Sequence, residues 1–139
     1  VTLGEIRKGE RRMLESGENY LETILRLTQK NGNVRSVDVA EALGVTKPSV
    51  SRAMSILREQ GYVLFAESNR LVLTEKGRAK AEAVYERHRV ISRFLMLTLD
   101  VDEALAAKDA CRFEHDISDE TFERMKAYVR AHGAQKETL

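Results

Sequence analysis

Leu43-Gly44-Val45-Thr46 is the stretch that most restricts what this chain can fold into. A glycine suited to ending one helix stands two residues before a threonine suited to capping the next, so two helices must meet at a tight turn and share one apolar surface. The helix before the turn reads as starting at an N-cap Ser36, with Asp38 in its first turn and Val37, Ala40 and Leu43 as its apolar face. The helix after it starts at Thr46 and tolerates the single proline, Pro48, in its first turn. It buries Val50, Ala53, Met54 and Leu57 before Gly61 stops it.

The flanking patterns extend this pair into a larger unit. From Met13 to Lys30 an amphipathic helix is expected, with Leu14, Tyr20, Leu21, Ile24, Leu25 and Thr28 near one face and Asn31-Gly32-Asn33 ending it. Tyr62 to Ala66 and Leu71 to Thr74 are β-prone runs around Glu67-Ser68-Asn69-Arg70, which predicts a hairpin wing. Helix, helix, helix and hairpin together describe a winged helix-turn-helix. Beyond it the periodicity is helical throughout. A long helix opens at Thr74-Glu75-Lys76 and carries Val84, His88, Ile91 and Leu95 on one stripe to about Leu97. Asp102 caps a helix with Ala106, Ala110, Phe113 and Ile117 as its buried face, and Ser118-Asp119-Glu120 starts the last one, towards His132-Gly133. The fold class expected is mainly α.

Composition narrows the function classes. The 139 residues are 42% hydrophobic and 32% charged, too apolar for disorder and too charged for a bilayer span. The longest apolar run, Phe94-Leu95-Met96-Leu97, is far short of the ~18 residues a membrane helix needs. One cysteine makes no internal disulfide and the first twenty residues resemble no signal peptide, so a cytoplasmic location is expected. Val1 is expected to mark a trimmed or processed start. The net charge of +1 hides an asymmetry, because residues 34 to 80 hold eight Lys/Arg against five acids. A basic segment inside a neutral chain fits a local anion-binding surface.

In helix-turn-helix proteins the N-terminal end of the second helix enters the major groove. Here that end carries Thr46, Lys47, Pro48, Ser49, Ser51 and Arg52. Hydroxyls and helix N-terminal amides suit phosphates, Pro48 suits a thymine methyl, and Arg52 suits a guanine edge. Ser36 on the preceding helix and Asn69 and Arg70 on the wing complete the candidate DNA contacts.

A second chemistry lies downstream. Cys111, Glu114 and His115 stand at i, i+3 and i+4, so one helix face presents a thiolate, a carboxylate and an imidazole. His88 adds an imidazole from the long helix, and Glu22 and Asn19 offer oxygen donors from the first. A divalent transition metal requires three or more such groups converging.

Asp109-Ala110-Cys111-Arg112-Phe113-Glu114-His115, followed by Ser118-Asp119-Glu120, resembles the metal-binding helix of the iron- and manganese-dependent repressors, the diphtheria-toxin-repressor and manganese-transport-regulator family. The resemblance extends to Glu18-Asn19-Tyr20-Leu21-Glu22, residues 39–45, Leu71-Val72-Leu73-Thr74 with Gly77, and Arg87-His88-Arg89, about residues 18 to 130 in all. It implies metal bound between the first, long and metal-binding helices, favouring a homodimer that fits a palindromic double-stranded DNA operator. It also implies a hybrid ligand set. Cys111, Glu114 and His115 match the iron branch's primary ligands and His88 its ancillary histidine, while Asn19 replaces its methionine and Ser92 and Ala107 replace two further ligands. In the manganese branch's pattern, Glu22, His88, Glu114 and His115 match, with Asn19 for an aspartate and Cys111 for a glutamate. In length the chain resembles the short form without an SH3-like domain.

The expected organisation is a winged-helix DNA-binding domain over residues 10–74 and a helical metal-binding and dimerisation domain over residues 75–139. Ile91, Phe94, Leu95, Leu97, Leu105 and Phe113 are expected to supply the dimer's apolar surface. The function expected is a metal-dependent repressor of iron or manganese homeostasis with Fe(II) or Mn(II) as cofactor, the soft sulfur of Cys111 favouring Fe(II). A winged-helix regulator answering to an organic ligand or to Cys111 oxidation is the alternative. A small thiol- or metal-dependent hydrolase is disfavoured, since Cys111 and His115 point side by side with no third orienting group evident.

Overall fold

The computed structural model describes residues 8–137, with side-chain surroundings from residue 17 to residue 133. Val1 and the side chain of Leu14 lie outside the described residues. Six helices and one hairpin follow one another: α1 (Lys8–Asn31), α2 (Ser36–Leu43), α3 (Lys47–Glu59), β1 (Val63–Phe65), β2 (Leu71–Leu73), α4 (Glu75–Leu99), α5 (Glu103–Phe113) and α6 (Asp119–Glu137). The chain divides into two compact units, 1–82 and 83–139, the division falling inside α4. Among the described residues no helix is long and apolar enough to cross a membrane.

The first unit is built on α1, whose Tyr20, Leu21, Ile24 and Leu25 recur at helical spacing and are buried against Val39, Val50, Met54 and Leu57. Fully burying one such side chain stabilises by about 1.5–3 kcal/mol, whereas a helix cap is worth about 1 kcal/mol. The shared core therefore governs how the helices pack, and the caps set where they start. Thr46 caps α3 as expected, its Oγ1 accepting from Ser49 N–H at 3.3 Å. Gly44 ends α2 at φ 65° with its N–H on Ala40 O, a conformation that glycine adopts without strain.

Two features of α2 differ from expectation. Arg35, not Ser36, is the N-cap, and Asp38 accepts from the Arg35 backbone N–H at 2.9 Å. The helix buries Val39 and Ala40, while Val37 and Leu43 are exposed. With barely two turns, several faces score as apolar, and contact with α1 selects the one that is buried.

The wing pairs Val63 with Leu73, Leu64 with Val72 and Phe65 with Leu71, antiparallel. Its tip runs through a 3-10 turn in which Ser68 and Asn69 both have positive φ, as tight hairpins require. The wing is also tied to the α1–α2 linker. Leu71 N–H donates to Val34 O at 2.7 Å, Arg35 bridges Arg70, and Arg70 Nη1 donates to Asn33 Oδ1. Residues 33–35 are too short for alternation to reveal this third pairing.

In the second unit, Val84, His88, Ile91 and Leu95 of α4 are all buried, as their spacing implied. Ile91 and Leu95 pack with Ala106, Ala110 and Phe122. Asp102 caps α5 through Leu105 N–H, and Ser118 Oγ accepts from Thr121 N–H at the start of α6. Phe113 is exposed rather than part of the α5 core. Of the six residues expected to face a partner, Ile91, Leu95 and Leu97 are buried within the protomer. Leu105 and Phe113 remain exposed, joined by Leu99 and Tyr128.

Gly77 fixes the start of α4 against the first unit's own backbone. Thr74 Oγ1 accepts from Gly77 N–H at 3.0 Å and donates to Gly61 O at 2.6 Å, and a Cβ at position 77 would stand 1.9 Å from Tyr62 O. Gly77→Ala is expected to lower stability by about 1–3 kcal/mol or more, because backbone cannot step aside as a side chain can. Denaturant unfolding checks this, and a change under about 0.5 kcal/mol would contradict the assigned contact.

Candidate metal centre and nucleic-acid interface

In the second unit α4 and α5 bring three chemically different donors together. Ligand atoms of His88, Cys111 and Glu114 lie within 4.8 Å of one another. His88 Nδ1 is 3.0 Å from Glu114 Oε2 and 3.6 Å from Cys111 Sγ. Glu114 is 1% exposed, and its Oε1 has no hydrogen-bond donor, although His115 Nε2 stands 3.3 Å away as a charge partner. Cys111 is exposed. A buried carboxylate oxygen without a donor costs about 1–3 kcal/mol. A buried carboxylate beside sulfur and nitrogen donors fits a divalent transition metal.

The electrostatics follow from the geometry. The hydrogen bonds of His88 to the Cys111 sulfur and to Glu114 hold a proton on the ring and push its pKa from 6.5 up to about 10. Burial opposes the charge on Glu114, but the adjacent His115 and His88 imidazoles outweigh it and hold the carboxyl below its ordinary value.

Arg87, next to His88, positions the loop that carries the donors. Its Nη1 donates to Glu114 O at 3.1 Å and to Ile117 O at 3.0 Å, its Nη2 pairs with Asp119, and its guanidinium stacks 5.1 Å from the Phe122 ring. One planar group thus closes the end of α5 onto the start of α6. The sequence marks Arg87 as part of a resemblance without showing this role, because two of its partners are backbone carbonyls and all four lie 27 or more residues away.

The sequence grouped Cys111, Glu114 and His115. In the structure His88 joins Cys111 and Glu114, and His115 sits on the other Glu114 oxygen with its side chain almost wholly buried. Asn19 and Glu22 lie a turn apart on α1 in the first unit, Asn19 half-buried and Glu22 buried with Arg26 Nη1 3.7 Å from its Oε1.

The first unit carries a groove of about 550 Å³ between α2, α3 and the wing. Lys47, Ser51, Ser55 and Arg58 line it from one face of α3, Arg35 and Ser36 from the start of α2, and Asn69 from the wing. Of the expected DNA contacts, Ser36, Lys47, Ser51 and Asn69 are therefore brought together. Thr46 and Ser49 are bonded to each other in the α3 cap, Oγ1 to Oγ at 2.9 Å. Pro48 and Arg52 are exposed on α3 beside the groove, and Arg70 is turned to Asn33. Arg35 and Arg58 were not singled out in the sequence. The spacing 47, 51, 55, 58 is a helical stripe, the signal by which Arg58 was findable.

Proton competition gives a test of the metal centre. A metal must displace the His88 proton, so Mn(II) or Co(II) affinity should rise by about tenfold or more per pH unit from pH 6.5 to 8.5. The sign for the metal-free fold is opposite. The raised pKa stabilises it fully below about pH 6.5, and that contribution is lost as pH rises through about 10. Metal titrations across this range check the first statement, and affinity flat above pH 7 would contradict it.

Family models describe both parts of the chain. Residues 12–70 match the N-terminal DNA binding domain of the iron dependent repressors, and residues 74–133 match their metal binding and dimerisation domain. An uncharacterised HTH-type transcriptional regulator of Methanocaldococcus jannaschii is 34% identical over 118 residues, 84% of this chain and 94% of that protein. The transcriptional regulator MntR of Escherichia coli is 33% identical over 131 residues, covering 94% and 83%. Among solved structures, the manganese regulator SloR matches with a TM-score of 0.74 at 30% identity, and the metal-dependent transcriptional regulator MtsR with 0.76 at 26%. Each match covers 82% of this chain and 53% of the other, so the chain spans about half the length of those solved proteins.

Proposed function

We propose, from the premise that this chain belongs to the iron-dependent repressor family, that it is a metal-dependent transcriptional repressor which binds operator DNA as a homodimer when loaded with Fe(II) or Mn(II). The observation that carries this reading is the convergence of ligand atoms of His88, Cys111 and the buried Glu114 within 4.8 Å of one another. The family is one of DNA-binding regulators, not enzymes.

The proposed division of labour places DNA binding in residues 10–74 and metal binding with dimerisation in residues 75–139, in line with the two matched segments. A bound divalent ion supplies the positive charge and Lewis acidity that nitrogen, oxygen and sulfur donors share. His88 gives up its proton, Glu114 contributes its carboxylate, Cys111 its sulfur and His115 a further nitrogen. Arg87 keeps the Glu114 segment in place through the carbonyls of Glu114 and Ile117. Glu22 and Asn19 are candidate oxygen donors, and loss of affinity in Glu22→Gln would add Glu22 to the set. Exposed Leu99, Leu105, Phe113 and Tyr128 offer apolar surface for an isologous interface.

On the DNA side, Thr46, Lys47, Pro48, Ser49, Ser51 and Arg52 at the N-terminal part of α3 are proposed to meet the major groove, with Ser36, Asn69 and Arg70 flanking them. A two-fold dimer then presents its α3 helices to half-sites about 34 Å apart.

The experiment is a DNA-binding titration of chelator-stripped protein with Mn(II), Fe(II), Co(II) and Zn(II). Binding to a palindromic site should appear on adding Fe(II) or Mn(II) and vanish on chelation, with the Cys111 sulfur ranking Fe(II) ahead of Mn(II). Equal affinity with and without metal would overturn the reading.

A further inference from the structure

The groove beside α3 has a charge composition that the recognition end of the helix does not account for. Three cations, Arg35, Lys47 and Arg58, line it, and no carboxylate does. None of the three side chains pairs with a carboxylate among the described residues. Three like charges facing one concavity repel each other, and an anionic occupant relieves that repulsion.

Arg58 is held in an unusual way. It leaves the last turn of α3, and its guanidinium lies 5.5 Å from the centroid of the Phe65 ring on β1 of the wing. Phe65 is itself 38% exposed, so it serves as a surface platform as much as a core residue. A flexible arginine stacked on an aromatic face keeps its N–H edge free, and the stacking has already removed part of the side-chain freedom that binding would otherwise cost. Arg58 stands eleven residues beyond Lys47, about 16 Å along the helix axis, more than the ~12 Å width of a major groove. Cations so separated reach phosphates on the two sides of the groove.

We propose that Arg58 and Phe65 act as one clamp, in which the wing's aromatic ring holds the arginine at the end of α3 against the phosphate backbone of duplex DNA, with Arg35 as a second phosphate contact across the groove. The proposal rests on the reading of the protein as a DNA-binding dimer and adds contacts that carry affinity without sequence information. Phe65 acts through Arg58 and is a positioning residue.

The test uses the metal-loaded full chain and measures DNA affinity between 50 and 200 mM salt on a specific and an unrelated duplex. Each phosphate contact contributes about 0.9 to the slope of log affinity against log salt. Arg58→Ala removes one contact per protomer, so the slope should fall by about 1.8 and the gap to wild type should narrow about twelvefold over this salt range. The loss should be similar on both duplexes. Arg58→Lys should keep the slope because it keeps the charge. Phe65→Leu, which keeps an apolar side chain but removes the ring face, should weaken binding in the wild-type background and cost nothing more in the Arg58→Ala background.

An unchanged slope in Arg58→Ala overturns the phosphate contact. Equal cost of Phe65→Leu with and without Arg58 overturns the clamp. Failure of wild-type protein to bind either duplex with metal present overturns the underlying reading instead, which keeps the two failures apart.

Discussion

The second unit depends on a carboxylate that would not be kept for stability alone. Glu114 is buried between two imidazoles, one oxygen bonded to His88 and the other beside His115 without a hydrogen bond. A buried ion pair is often no better than a well-packed apolar substitute, and an unsatisfied oxygen makes it worse. The surrounding structure is organised to tolerate it. Arg87 spends its guanidinium on two carbonyls, an aspartate and an aromatic ring to fix the loop after Glu114, while Lys126 pairs with Glu86 and Arg93 reaches Gly133 O to hold α6 on α4. Rigidity around a polar cluster is what a metal centre requires, since ligand orientation governs affinity.

The first unit follows a different economy. Its core is fully apolar among the described residues, apart from Glu22, and the polar chemistry stays on the surface. The α2–α3 turn, the Thr46 cap and the bonds from the wing to residues 33–35 leave one face of α3 and the wing tip standing clear. That face is basic because its acids lie elsewhere.

The fold was legible where periodicity was long. The stripe of Val84, His88, Ile91 and Leu95 on α4, the Thr46 and Asp102 caps and the hairpin all follow from spacing and cap chemistry. Short α2 was less legible, since two turns cannot distinguish Val37 and Leu43 from Val39 without knowing where α1 lies. The spacing of Phe113 continues the Ala106–Ala110 stripe, but α5 ends there and the ring is exposed. The candidate metal donors were all named in the sequence. Which of them converge was not, because His88 and Glu114 are 26 residues apart and only tertiary packing brings them within 3.0 Å. The role of Arg87 was hidden for the same reason.

Thermal unfolding of the wild-type chain and Glu114→Gln, each with and without Mn(II), addresses the central claim that the buried Glu114 is held for a metal. A ligand present at one hundred times its dissociation constant stabilises the native state by about 2.7 kcal/mol. The account predicts a stabilisation of that size for the wild type and none for Glu114→Gln. An equal metal-dependent stabilisation of both proteins would contradict it.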